Sequence, residues 1–110
     1  MLKNPPHILV VCGKNRIRSL TAEHIFKNEP RFEIRSAGVN SEARHRVSEK
    51  DSQWADRIYC MENKHKERLV AMFLYLPLAP ITVLDIEDVY TYMQPELVTV
   101  LQTTFDALTH

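Results

Sequence analysis

The sequence is poor in the residues that mark several protein classes. Its 110 residues include two cysteines, two glycines and one tryptophan. Two cysteines, Cys12 and Cys60, do not make a disulfide framework, and neither has the spacing of a zinc site. The uncharged stretch 69–84 is short for a membrane span and contains two prolines, so we interpret it as a helix end, a loop and a buried strand.

Charge of one sign is missing from each end of the chain. Lys plus Arg and Asp plus Glu are 14 each, so the formal net charge is zero. The first 22 residues contain no acidic side chain, and residues 69–110 contain no Lys or Arg. Residues 1–68 therefore carry a net charge of +5, and residues 69–110 carry −5. Zero net charge gives no support to a nucleic-acid or membrane partner, and we expect neither.

The remaining composition is that of an ordinary globular protein. Apolar residues make up 45% of the chain and charged residues 25%, which argues against disorder. The length fits one domain, so we expect residues 1–110 to fold as a single unit. The start of the chain lacks a signal-peptide pattern, and with the sparse cysteines this predicts a cytoplasmic protein with reduced thiols.

Local patterns alternate between strand and helix. Short β-branched or alternating apolar runs predict strands over residues 7–11, 32–36, 57–61 and 81–84. Helical spacing predicts helices over residues 18–28, 48–55, 63–73 and from 95 onward. Ser48, with Asp51 three residues later, resembles a capping box. Strict alternation predicts an α/β domain with a four-stranded parallel sheet and helices on both faces.

The loop after the first strand carries the strongest functional signal. Cys12 follows that strand, and Arg18 opens the next helix after five intervening residues. Ligands of parallel sheets bind beyond the carboxyl ends of the strands, where this loop lies. Backbone N–H groups of a tight loop at a helix N-terminus bind anions, and Gly13 and Asn15 suit its sharp turn. The candidate oxyanion-binding residues are Gly13, Lys14, Asn15, Arg16 and Ile17.

The same segment suits covalent chemistry on a phosphoryl group. Arg18 can bind two phosphoryl oxygens bidentately. The cationic surroundings favour a thiolate at Cys12, which is the nucleophilic form of cysteine. Ser19 can donate a hydrogen bond to that sulfur and ease its later departure. The Cys-x5-Arg spacing alone also fits a buried cysteine beside a basic surface loop.

The pattern Cys12-x-x-Asn15-x-x-Arg18-Ser19 resembles the phosphate loop of the low-molecular-weight protein tyrosine phosphatases. Residues 20–23 resemble the family's continuation, with leucine in place of proline, and residues 36–38 resemble its Ser-Ala-Gly segment. A short bacterial branch of predicted phosphatases is echoed by residues 41–46, 54–56, 61–62 and 84–93. The resemblance implies a flavodoxin-like three-layer fold and hydrolysis of phosphate monoesters, of the protein tyrosine phosphate type, through a phosphocysteine. It implies no metal or cofactor.

Expulsion of the leaving group needs a proton donor, and no Asp or Glu precedes Cys12. The downstream candidates are Asp85, Glu87 and Asp88. The family motif is Asp-Pro-Tyr, which residues 88–90 match with valine in place of proline. We therefore expect Asp88 to be the general acid, and then the base for the attacking water, with Asp85 as its rival.

Two other functions stay open at this stage. Arsenate reduction would use Cys12 to capture the oxyanion, but it calls for further resolving cysteines and only Cys60 is present. A non-catalytic oxyanion-binding or regulatory module would keep the loop without needing Asp88. The expected ligands are a phosphorylated protein or a small phosphate monoester, with inorganic phosphate or sulfate in the loop.

Several further residues have a structural interpretation beside the functional one. The basic segment 44–46 could steer an anion, and a solvated turn is favoured. Cys60 is predicted to be a small core residue. Tyr90 and Tyr92 either line an aromatic-accepting cleft or cover the core, and the sequence does not decide between them.

Overall fold

Strands and helices alternate along residues 4–109, the part of the chain that this computed structural model describes. The strands are β1 (His7–Cys12), β2 (Glu33–Gly38), β3 (Arg57–Cys60) and β4 (Ile81–Val83). The helices are α1 (Arg18–Ile25), α2 (Glu49–Trp54), α3 (Asn63–Met72) and α4 (Pro95–Thr109). The predicted order of elements is confirmed. Helix α1 ends before the predicted residue 28, because a turn closes from the Glu29 N–H to the Phe26 carbonyl at 3.1 Å.

The four strands form one parallel sheet in the order β2-β1-β3-β4. The chain passes from β1 to β2 on one side and then crosses back to β3 on the other. This reversal places the topological switch point beside the carboxyl end of β1, where parallel α/β sheets bind their ligands. Cys12 is the last residue of β1, so the fold puts it at that crevice.

Helices cover both faces of the sheet, as predicted. Side chains of a strand alternate between the two faces. Ile8 and Val10 of β1 belong to a core shared with Phe105 of α4, and this core also takes in side chains of α1. Leu9 of β1 belongs to the opposite core, which Leu69 of α3 helps to fill. Packing against both faces therefore fixes β1, and with it the position of Cys12 at the end of the strand.

The fourth strand is less buried than predicted. Residues 81–83 pair with β3 on one side only, and all three are intermediate in exposure because β4 is an edge strand. In the loop before it, Leu74 is 79% exposed, whereas Leu76 and Leu78 pack against the core.

The predicted capping box of α2 is confirmed. The Ser48 hydroxyl accepts a hydrogen bond from the Asp51 N–H at 3.2 Å, and the Asp51 carboxylate accepts one from the Ser48 N–H at 3.0 Å. No helix within residues 4–109 is both long and apolar enough to cross a membrane.

Candidate active site

The segment 39–44 is hydrogen-bonded to the loop between β1 and α1. Three loop carbonyl groups accept backbone hydrogen bonds of 3.0 Å from it: those of Cys12, Gly13 and Lys14. The C=O of one residue and the N–H of the next point in opposite directions across a peptide plane. Because these carbonyls point outward, the N–H groups that follow them point inward.

One of these inward N–H groups contacts the Cys12 sulfur, and the others in the loop have no acceptor among the described residues. The Asn15 N–H donates to Cys12 Sγ at 3.3 Å. The N–H groups of Gly13, Lys14, Arg16 and Ile17 have no acceptor within residues 4–109. Backbone donors in a folded protein are normally paired, so a run of unpaired donors at a helix N-terminus suits a bound anion.

A glycine is required beneath this loop, at Gly38 rather than at Gly13. A Cβ on Gly38 would lie 2.4 Å from the Gly13 carbonyl oxygen and 2.6 Å from the Ala43 Cβ, which is too close for any side chain. Gly13 does not adopt a positive φ, so its predicted role in a sharp turn is wrong. The left-handed residue is Asn15, at φ 57°, as expected of an asparagine.

A short hydrogen-bond chain orients Ser19 toward the cysteine. The Asn15 side-chain amide donates to Ser19 Oγ at 2.8 Å, and Ser19 Oγ lies 2.9 Å from Cys12 Sγ. Since the serine oxygen already accepts from the amide, its own proton is free to point at sulfur. Ser19 is fully buried and lies beneath the loop, so it contacts the sulfur but not solvent.

Arg44 completes this chain, although segment 44–46 is exposed as predicted. Its Nη2 donates to Asn15 Oδ1 at 2.9 Å, and its Nε donates to the Asn15 carbonyl at 3.2 Å. The bond to Oδ1 holds the side-chain amide with its NH₂ toward Ser19, and the bond to the carbonyl fixes the Asn15 backbone. The sequence did not predict these contacts, because it does not show that the segment after β2 folds back onto the loop after β1.

Arg18 is buried, at 4% exposed, and only part of its guanidinium group is hydrogen-bonded. One nitrogen, Nη1, donates at 2.6 Å both to Glu62 Oε2 and to the Ile86 carbonyl. Nε and Nη2 make no hydrogen bond within residues 4–109, and Nε lies 3.8 Å from Asp88 Oδ1. The Nε–Nη2 edge is the pair of donors that binds an oxyanion bidentately.

Glu62 balances the buried charge of Arg18. The hydrogen bond from the guanidinium holds the pKa of the Glu62 carboxyl below its ordinary value. A buried guanidinium without such a partner would be strongly unfavourable. Glu62 immediately precedes α3, and the pattern of the loop gave no indication of this ion pair.

His65, in the first turn of α3, is also tied to Glu62. The Glu62 N–H donates to His65 Nδ1 at 3.1 Å, so the ring nitrogen is an acceptor. His65 is 3% exposed, and burial, followed by the charge of Arg18, lowers its pKa to about 4. A neutral imidazole therefore takes the place of the glutamate in a capping box.

The acidic segment after β4 brings Asp88, and neither Asp85 nor Glu87, to the site. Asp88 lines the cavity above Cys12, and its carboxylate is 64% exposed. Asp85 is exposed, with φ 56°, and does not line that cavity. The Ile86 N–H donates to the Met61 carbonyl at 2.9 Å, which fixes the segment against the end of β3.

The cavity above Cys12 has a volume of about 540 Å³. Every predicted site residue except Ser19 lines it, together with residues of α3 that sequence reasoning missed. Five lining side chains are cationic: Lys14, Arg16, Arg18, Lys64 and Arg68. The one carboxylate among the lining residues is that of Asp88.

No Phe, Tyr or Trp belongs to the cavity lining among the described residues, so the sequence question about the tyrosines is answered. Tyr90 packs against the core on the α1–α4 side. The Tyr92 hydroxyl lies 2.5 Å from His24 Nδ1, away from the cavity. Cys60 is a fully buried core residue as predicted, and burial raises its pKa to about 12. Residues 4–109 contain no group of three or more His, Cys, Asp or Glu side chains that could hold a metal ion.

The architecture is that of the low-molecular-weight protein tyrosine phosphatases. SP-PTP, a low-molecular-weight protein tyrosine phosphatase from Streptococcus pyogenes, is similar with a TM-score of 0.77 at 15% identity, over 94% of this chain and 90% of that one. Wzb, a tyrosine phosphatase from Escherichia coli K30 solved with phosphate, is similar with a TM-score of 0.71 at 18% identity, over 94% and 96% of the two chains.

A third similar structure is the YwlE arginine phosphatase from Geobacillus stearothermophilus. Its TM-score is 0.70 at 23% identity, over 94% of this chain and 93% of that one. No protein-family model and no curated protein sequence matches the chain. At these identities the likeness establishes the fold, a flavodoxin-like α/β domain with a four-stranded parallel sheet.

Proposed function

We propose that the protein hydrolyses phosphate monoesters through a phosphocysteine intermediate, as a cysteine-dependent phosphatase of the protein tyrosine phosphatase type. One observation carries the proposal. The Cys12 sulfur, the unpaired loop N–H groups, the free edge of Arg18 and the Asp88 carboxylate all border one cavity. Phosphoryl transfer needs such an arrangement of a nucleophile, oxyanion donors and a proton donor.

In the first step the Cys12 thiolate attacks phosphorus opposite the leaving oxygen. The S–P bond forms while the P–O bond to the leaving group breaks. The N–H groups of residues 13–18 and the Nε–Nη2 edge of Arg18 bind the three equatorial oxygens, where charge accumulates in the transition state. Asp88 transfers its proton to the leaving oxygen, so the product departs as a neutral alcohol or phenol.

In the second step water attacks the phosphocysteine. Asp88, now a carboxylate, accepts a proton from that water, and the S–P bond breaks to release inorganic phosphate. The Ser19 hydroxyl, 2.9 Å from Cys12 Sγ, donates to the departing thiolate. The loop and Arg18 supply the positive field of both steps through residues of this chain.

The fold neighbours support this proposal by what they act on. They are described as tyrosine phosphatases and an arginine phosphatase, and one is solved with phosphate. A YwlE variant is solved with a phosphorylated active-site serine, which fits a covalent phosphoenzyme. We infer that inorganic phosphate or sulfate binds the Cys12–Arg18 loop here, and that the protein acts in the cytoplasm, where its two free cysteines stay reduced.

The position of the second cysteine argues against arsenate reduction. Such chemistry needs a resolving thiol that can reach the first cysteine and ionise. Cys60 is fully buried, and the pKa of its thiol is raised to about 12. Asp88 at the cavity argues for an enzyme over a binding module, since a binding module has no use for a proton donor.

Steady-state hydrolysis of p-nitrophenyl phosphate between about pH 5 and 7 tests the proposal. We expect turnover by the wild type, none by Cys12→Ser, and unchanged turnover by Cys60→Ala, which is the matched cysteine control. A purified, folded wild type without turnover anywhere in that range would refute the proposed activity.

A further inference from the structure

We propose that the substrate carries a second anionic group, which Lys64 and Arg68 of α3 bind while the phosphoryl group is held at Cys12. This inference rests on the proposed function and adds the class of substrate to it. The expected substrate is a small phosphate monoester with a further phosphate or carboxylate on the same molecule. Three observations lead to it: the geometry of α3, the distribution of ion pairs, and the absence of aromatic lining.

Helix α3 places two cations along one wall of the cavity. Lys64 and Arg68 are four residues apart, so they share a face of the helix, and both line the cavity. The helix begins just after β3, which is the neighbour of β1 in the sheet. Its N-terminal end adds a partial positive charge to the same wall. His65, which lies between them in sequence, is neutral at pH 7 because its pKa is lowered to about 4.

The cavity has more cationic side chains than are needed to bind one phosphoryl group. The loop N–H groups and Arg18 already serve the three oxygens of that group. Arg68 forms no ion pair within residues 4–109, and Lys64 only approaches Glu62, at 3.9 Å. Glu62 is itself bound to Arg18 at 2.6 Å, so its charge is shared. The α3 wall therefore keeps positive charge for a second anion.

The other two cations of the cavity face a different neighbour. The pKa of the Glu42 carboxyl is lowered by its own backbone N–H and the Ser41 hydroxyl, and further by the charges of Lys14 and Arg16. The Glu42 carboxylate thus acts on these two cations from segment 39–44. Lys64 and Arg68 instead share one helix face along the cavity, and Arg68 forms no ion pair within residues 4–109, so we assign the second anion to α3.

The shape and lining of the cavity favour a small charged substrate over an aromatic side chain. Its volume of about 540 Å³ is typical of sites for small molecules. Among the described residues, no aromatic ring other than the His65 imidazole lines it, so a phenyl group would find no ring to stack on.

A matched pair of substrates tests the inference. Phenyl phosphate is prepared with either a phosphonomethyl or an ethyl group at ring position 3, because the methylene keeps the leaving phenols similar in acidity. We expect the wild type to prefer the phosphonomethyl substrate by about tenfold in kcat/KM, as one charge-assisted contact would give. In the double variant Lys64→Gln, Arg68→Gln, the preference should fall to about twofold or less.

Lys66→Gln is the control variant. Lys66 lies on the same helix and is exposed, and its substitution removes the same charge, but it does not line the cavity. We expect it to keep the full preference. We also expect the wild-type preference to decline as salt is raised, because salt screens exposed charge pairs.

The outcomes separate this inference from the proposed function. Hydrolysis of neither substrate would overturn both. Hydrolysis of both with equal kcat/KM, or a preference that survives the double variant, would overturn the second anionic group alone. A preference seen only between acidic and neutral phosphotyrosine peptides, and absent from the small pair, would also overturn it, in favour of a protein substrate bound outside the cavity.

Discussion

Two cysteines lie near the ends of neighbouring strands, yet their surroundings oppose each other. Val11, one residue before Cys12, is paired in register with Cys60. Cys12 receives hydrogen bonds from the Asn15 N–H of the following loop and from Ser19. Cys60 lies among apolar side chains on the opposite face, and burial raises its pKa to about 12. The proposed reactivity of Cys12 therefore rests on the loop after the strand and not on the strand itself.

The same contrast extends from β1 to the segment that follows β3. The end of β1 carries the proposed nucleophile and unpaired N–H donors, whereas the residues after β3 hold Arg18 in place. Glu62 holds Arg18, and His65 holds the Glu62 backbone. Residues of α3 nevertheless line the same cavity as the loop after β1. The predictions below test this division between chemistry and support.

The largest expected effect separates the two cysteines. Cys12→Ser should lower kcat by about 10⁴-fold or more, because hydroxyl is a far poorer nucleophile than thiolate at neutral pH. Cys60→Ala should leave kcat within about twofold and lower the free energy of unfolding by about 1–2 kcal/mol, through loss of core packing. Steady-state kinetics and urea unfolding measure the two effects. Equal losses of activity in both variants would contradict the comparison.

The next effect concerns the proton donor. Asp88→Asn should lower kcat for phenyl phosphate by about 10²–10⁴-fold, because phenolate is a poor leaving group without a proton. The loss should be much smaller for p-nitrophenyl phosphate in the first step. Asp85→Asn, which removes a carboxylate outside the cavity, is the control. A loss caused by the Asp85 variant and not by the Asp88 variant would show that the wrong acid was assigned.

His65, in the first turn of α3, should make the free energy of unfolding depend on pH. Its folded-state pKa of about 4 lies below its ordinary value of 6.5, so the unfolded chain binds the proton more tightly. This contribution to stability is complete above about pH 6.5 and is lost as the pH falls toward 4. Protonation also removes the acceptor for the Glu62 N–H.

We expect the wild type to lose about 3 kcal/mol of unfolding free energy from this group between about pH 7 and 4. His65→Gln, which keeps a capping acceptor without titrating, should lack that part of the loss. Urea unfolding across the pH range measures both proteins. Identical pH dependence of their stability would contradict the role given to His65.

The smallest effect concerns Arg44. Arg44→Ala should lower kcat/KM by about tenfold, because Asn15 loses the bond that holds its side-chain amide toward Ser19 and the bond that fixes its backbone carbonyl. The control is Arg46→Ala, at an exposed arginine whose side chain makes no hydrogen bond or ion pair within residues 4–109. If both variants keep full activity, Arg44 is only a surface residue.

The sequence predicted the fold well because local patterns decide it. Alternating strands and helices indicate a parallel sheet. The capping box at Ser48 is also local, because it joins two residues only three positions apart. All strand bounds lie within two residues of the structure. The exposure of residues 81–83 was missed, because edge position depends on which strands pair, and sequence spacing does not encode that.

Apart from Asp88, which the family resemblance implied, the candidate site was predicted only where it is contiguous in sequence. The loop 12–18 has a recognisable spacing, and all of its residues line the cavity. The contacts of Arg44 and Glu62 join segments 29 and 44 residues apart, so no local pattern reveals them. The need for glycine at position 38 likewise arises from a close approach between two strands' loops.

The most direct test of the covalent mechanism is to trap the phosphoenzyme. Asp88→Asn with p-nitrophenyl phosphate should accumulate the intermediate, because this leaving group departs without an acid whereas the attacking water still needs a base. Acid quenching followed by peptide mass spectrometry should find one phosphoryl group on Cys12 and none on Cys60. Turnover without any phosphoryl group on Cys12, or with the group on another residue, would contradict the mechanism.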